Sequence, residues 1–83
     1  MEYPIHTAGQ LAQALKGWRK SRKLTQAEAG SRVGLWSKTI SALESKPDAS
    51  ALGSFFKLLS ALELELVIRP KSKGSSGAAA GEW

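Results

Sequence analysis

Lys16, Arg19, Lys20, Arg22 and Lys23 fall within eight residues. Cations at that density attract a polyanion, and nucleic-acid phosphates are the commonest one. The same cluster also suits a solvated helix end, where cations favour the negative pole of the helix dipole. Downstream stand Gln26 and the short polar run Ser37, Lys38, Thr39 and Ser41. A glutamine can donate to a phosphate oxygen. Lys38 can donate to guanine O6 and N7 or touch phosphate alone, and small hydroxyls read either purine or pyrimidine edges. Other chemistries fit poorly. His6 is the only histidine and cysteine is absent, so no metal-ligand set exists. Glu63 and Glu65 lack a histidine or phosphate loop beside them to make them catalytic. Neither an enzyme nor a cofactor is expected.

The chain has 83 residues, which fits one domain with a thin core. Without cysteine no disulfide can supplement that core, so a second subunit is the natural supplement. The cysteine count also suits a reducing cytoplasm. No apolar run of about 18 residues exists and the first residues lack signal-peptide character. A cytoplasmic protein with no membrane partner is expected. The formal net charge is +5 and the pI is near 9.9.

Four helices must position the polar residues. The first spans about 7–21: Thr7 and Gln10 have capping-box spacing, and Leu11, Ala14, Leu15 and Trp18 form one apolar face. The second begins at Thr25, where Thr25 and Glu28 repeat the capping box. Gly30 inside so short a helix costs roughly 1 kcal/mol against alanine, which a close helix crossing would explain. Gly34 supplies the turn, since a positive φ is cheap only for glycine. The third helix, about 37–44, turns Ile40 and Leu43 inward and Ser37, Lys38, Thr39, Ser41 and Ala42 outward. Pro47 and Asp48 mark a loop. Ser50 is expected to cap a fourth helix, about 51–62, whose Leu52, Phe55, Phe56, Leu58, Leu59 and Leu62 exceed one apolar stripe. That excess predicts a core face plus a dimer face.

From Leu64 the period changes. Leu64, Leu66 and Ile68 alternate with Glu65, Val67 and Arg69 until Pro70, a strand signature. The chain offers no second strand, so pairing across a homodimer is expected, with Phe55, Phe56, Leu59, Leu64, Leu66, Val67 and Ile68 at the interface. Residues 71–82 are Gly, Ser, Ala and charge, which cannot bury enough to fold, and Trp83 follows. The expected organisation is therefore an arm at 1–6, an all-α DNA-binding and dimerisation domain with one short strand at 7–70, and a disordered tail at 71–83.

A helix, a glycine-containing turn and a helix with a small polar face make a helix-turn-helix, whose second helix enters the major groove of duplex DNA. Leu24-Thr25-Gln26-Ala27-Glu28, Val33-Gly34-Leu35 and Thr39-Ile40-Ser41-Ala42-Leu43-Glu44 resemble the phage-repressor (Cro/repressor, Xre) helix-turn-helix family without gaps. Residues outside that motif resemble the HipB antitoxins within it: Ser50 to Leu59 with its Phe55-Phe56-Lys57 run, Leu62-Glu63-Leu64, and the pair Glu82-Trp83. The resemblance implies a dimeric autorepressor that binds palindromic operator DNA and also holds and neutralises a HipA-like serine/threonine-kinase toxin. It also implies that Trp83 enters a cleft of that toxin.

The family's usual residue where Trp36 stands is Ser or a long polar side chain. Tryptophan cannot cap a helix through its side chain, whereas Ser37 can, which would start the recognition helix one residue later. Packing on the helix pair is the expectation for Trp36, stacking on a sugar of the DNA the alternative. Arg19, Arg22 and Lys23 complete the expected DNA-binding set, with Gln26, Trp36, Ser37, Lys38, Thr39 and Ser41. Two other functional classes fit less well. A stand-alone repressor without a toxin has no use for a tail tipped with tryptophan. A membrane-surface or RNA-binding module would need a basic amphipathic helix with bulky anchors, or an aromatic stacking platform.

Overall fold

Thr7 opens the first helix by accepting a hydrogen bond from the Gln10 backbone N–H at 3.0 Å. The Gln10 side chain accepts from the His6 N–H, one residue earlier than the capping box predicts. In the computed structural model, which describes residues 3–71, the elements are α1 (Ala8–Ser21), α2 (Gln26–Ser31), α3 (Ser37–Ser45), a 3-10 turn (Pro47–Ala49) and α4 (Leu52–Ala61). Every regular element among the described residues is helical. Residues 64–69 form neither helix nor strand within the chain. Trp83 and the rest of 72–83 lie outside the described residues.

α2 carries both halves of its capping box: Thr25 Oγ1 accepts from the Glu28 N–H, and Glu28 Oε1 accepts from the Thr25 N–H. α1 and α4 end alike. The N–H of Lys23 donates to Lys20 O and that of Leu24 to Arg19 O; at α4, Glu63 donates to Ser60 O and Leu64 to Leu59 O. This double bond pattern is a Schellman motif. Its left-handed residue is Lys23 in one case and Glu63 in the other, each at φ 59°. Trp18 Nε1 and Arg32 Nη1 then donate to the Leu62 and Ala61 carbonyls, supplying partners that the helix end lacks.

Ser50 does not cap α4 as expected. Ala51 holds the cap position without a side-chain bond, and Ser50 Oγ donates instead to Lys46 O at 3.0 Å, because the 3-10 turn occupies the residues before it. Leu15, Ala29, Ile40, Leu43, Phe55, Leu58, Leu59 and Leu62 form one buried cluster drawn from all four helices. Each large side chain there contributes roughly 1.5–3 kcal/mol of burial. Phe55 and Leu59 are buried in this core, which leaves little of either for the dimer face expected of them, although Leu59 also lines the groove that Leu66 and Val67 border. Phe56, Leu66, Val67 and Ile68 are exposed. Leu66 and Val67 border an open groove of about 730 Å³ walled by Tyr3, Ile5, Leu11, Ala14 and Leu64.

Candidate nucleic-acid interface

Gly30 and Gly34 set the angle between α2 and α3. Gly34 adopts φ 73°, as the turn requires. A Cβ on Gly30 would lie 2.3 Å from the Leu35 carbonyl oxygen and 3.4 Å from Ile40 Cγ1. The close approach is therefore the returning turn itself as well as α3, rather than a helix crossing alone. The Leu35 N–H donates to Gly30 O at 2.9 Å, closing the turn.

α3 meets the core through Ile40, Leu43 and Glu44. Ser37, Lys38 and Ala42 are exposed, and Thr39 and Ser41 are half-buried. The residues expected on the outer side of α3 are thus all at least partly accessible. The first residue of α3 is not displaced. Ser37 is already helical, and Trp36 holds the cap position through its carbonyl, which accepts from the Thr39 and Ile40 N–H groups. Trp36 does not pack on the helix pair either; its residue surface is 75 % exposed.

Arg19 leaves the phosphate-binding set. Its side chain is buried, and each guanidinium nitrogen is engaged: Nε with Glu44 Oε2 at 2.7 Å, Nη2 with Glu44 Oε1 at 3.1 Å, and Nη1 with Leu24 O at 2.7 Å. A buried guanidinium whose charge is already neutralised by the Glu44 carboxylate cannot also reach and neutralise a phosphate. Gln26 Nε2 donates to the same Glu44 Oε1 at 3.1 Å. One carboxylate therefore ties α1, α2 and α3 together and orients Gln26. Glu44 was not among the site residues expected from sequence. The available signal was its place four residues after the inward Ile40, matched by Arg19 four residues after Leu15 on the inward face of α1.

Arg22 stays at the surface, paired with Glu63 at 2.8 Å and 5.5 Å from the Trp18 ring centroid. Exposed pairs of this kind are weak, so the guanidinium can exchange partners. Lys20 and Lys23 are exposed beside it. Glu28 lies at the start of α2, where the Thr25 N–H and hydroxyl hold its carboxyl below the ordinary 4.5.

No family model matches the chain. A HipB antitoxin from Escherichia coli O6:H1 (strain CFT073) is 37% identical over 75 residues, 90% of this chain and 80% of the relative. The chain belongs to the HipB antitoxin family. Solved HipB structures share the fold. A HipB–O2 20mer complex superposes with a TM-score of 0.84 at 36% identity, covering 87% of this chain and 100% of that one. A HipA–HipB–O2–O3 complex gives 0.83 at 35% identity, covering 86% and 100%.

Proposed function

We propose that this chain is the antitoxin and autorepressor of a toxin–antitoxin pair. A homodimer binds palindromic operator DNA through α2 and α3, and binds and neutralises a HipA-like serine/threonine kinase. The observation that carries the reading is 37% identity to a HipB antitoxin across an alignment covering 90% of the chain, joined to a helix-turn-helix whose exposed face bears Ser37 and Lys38. Solved HipB complexes, one with an O2 20mer and one with HipA and O2–O3, support both halves.

In this reading Lys38, Ser37, Thr39 and Ser41 address base edges, while Gln26, Arg22 and Lys23 address phosphates. The dimer forms through residues 64–69, which pair with their two-fold copy as an antiparallel ribbon. Leu66, Val67 and Ile68, with Phe56, supply the apolar surface that one chain leaves uncovered. The tail carries Trp83 to a pocket of the kinase, and the intervening residues raise its local concentration there.

Co-expression with a HipA-like kinase encoded beside this chain tests the proposal. The intact chain relieves the growth arrest caused by the kinase and shifts a duplex carrying its own promoter. Deleting residues 77–83 weakens neutralisation while leaving operator affinity within about threefold, since no phosphate contact is lost. Relief of arrest by the truncated chain at full strength would remove the anchor role from Trp83. No relief by the intact chain would remove the antitoxin reading.

A further inference from the structure

Large aromatic side chains are seldom left in water without use, because an indole hides a great deal of apolar surface when covered. Trp36 is 75 % exposed, and its position is not a loop accident. The preceding carbonyl, that of Leu35, is pressed onto Gly30, and the Leu35 N–H is bonded to Gly30 O. The following turn begins on the Trp36 carbonyl, which accepts two N–H groups at 2.9 and 3.2 Å. Backbone constraints on both sides fix where the side chain starts. Residue 36 is extended, with φ −73° and ψ 153°, so neighbouring side chains point to opposite sides. Leu35 accordingly packs against the core and Trp36 faces out.

That outward position is the N-terminal end of α3, immediately before the exposed Ser37 and Lys38. In a helix-turn-helix this end of the second helix stands at the base edges. An indole has one polar atom, a donor, and is otherwise apolar. The one apolar group that the major groove displays is the C5-methyl of thymine. We infer that Trp36 is a specificity-determining residue that selects a thymine in each half-site by covering its methyl group. The inference rests on the DNA-binding reading above and adds to it an apolar contact to the thymine methyl that the hydrogen-bonding side chains cannot make.

The test uses the full chain and a duplex selected by it from a random pool. Each thymine of that duplex is replaced in turn by deoxyuridine, which lacks only the methyl, and affinity is measured for the parent and for Trp36→Ala. The parent loses about five- to thirtyfold at one symmetry-related thymine pair, and Trp36→Ala shows no loss there. Trp36→Phe, which keeps an apolar face, retains part of the discrimination. Circular dichroism melting of Trp36→Ala should match the parent, since so exposed a ring holds little of the core together. Three results overturn the inference: Trp36→Ala binding as tightly as the parent, Trp36→Ala weakening every sequence alike with an unchanged deoxyuridine profile, or Trp36→Ala binding DNA normally but losing the kinase. In each of these the DNA-binding reading survives, because Lys38→Ala still weakens selected duplexes. Failure to select any duplex would bring down both.

Discussion

Replacing Arg19 with methionine distinguishes a structural arginine from a phosphate ligand. The change removes the Glu44 pair at 2.7 and 3.1 Å and the bond to Leu24 O. Arg19 is 6 % exposed and Glu44 9 %, so the carboxylate would remain in the interior with only Gln26 as donor. Removing one partner of a buried pair costs about 3–5 kcal/mol. A folded chain of this size holds roughly 4–12 kcal/mol in total, so Arg19→Met forfeits between about a quarter and all of it. At about 4–8 °C per kcal/mol, its melting temperature falls by about 12–40 °C in a circular dichroism scan. The double variant Arg19→Met with Glu44→Leu removes both charges and recovers to within about 1–2 kcal/mol of the parent. Its DNA affinity should keep the parent's salt slope, since each phosphate contact adds about 0.9 to the log–log slope. The reasoning is refuted if Arg19→Met melts within about 1 kcal/mol of the parent and its salt slope falls by about 2 per dimer. That outcome would return Arg19 to the phosphates.

If the dimer neutralises about 6 phosphates, operator affinity drops on the order of a thousandfold between 50 and 200 mM salt; within that dependence, Lys38→Ala costs roughly 1–3 kcal/mol and relaxes one base position. Lys23→Gly relieves a left-handed non-glycine residue at the end of α1. It should raise stability by about 1 kcal/mol while weakening all DNA sequences alike, a pair of opposite effects read by melting and by gel shift. Glu28 is held below 4.5 by Thr25, so its contribution is complete above that value and is lost as pH falls through its lower folded value; Glu28→Gln should flatten this acid limb in melting curves taken from about pH 3 to 6. Val67→Pro takes one N–H donor from the proposed ribbon and should shift sedimentation at micromolar concentration toward monomer, an effect that a dimer held elsewhere would not show.

The helices were legible because their apolar spacing and caps are local signals. Thr25 and Glu28 announce the start of α2 by type and spacing alone, and Gly34 announces the turn. Two helix ends were harder to read, because Lys23 and Glu63 take a left-handed conformation that usually advertises itself as glycine or asparagine. Glu44 and Arg19 escaped because each is an unremarkable charge within its own helix; their partnership exists only after α1 and α3 are brought together. Ser50 misled for the opposite reason: a good capping residue was drawn to the Lys46 carbonyl when the 3-10 turn formed. Trp36 misled through its apolar character, which suggests burial, whereas an extended backbone after an inward Leu35 leaves it outside. The alternation of 64–69 reads clearly as a strand, yet the described residues of a single chain contain no ladder on which it could be satisfied.

The Leu35 carbonyl over Gly30 has an evolutionary consequence. A side chain of any size at residue 30 would meet backbone 2.3 Å away, so the hinge between α2 and α3 tolerates no drift. The exposed positions 37, 38 and 42 carry no such restraint. A lineage can therefore exchange its outer α3 residues one at a time and acquire a new target sequence without rebuilding the angle at which they are offered. Two such pairs in one cell could become mutually blind by point changes alone, each silencing its own promoter and ignoring the other's.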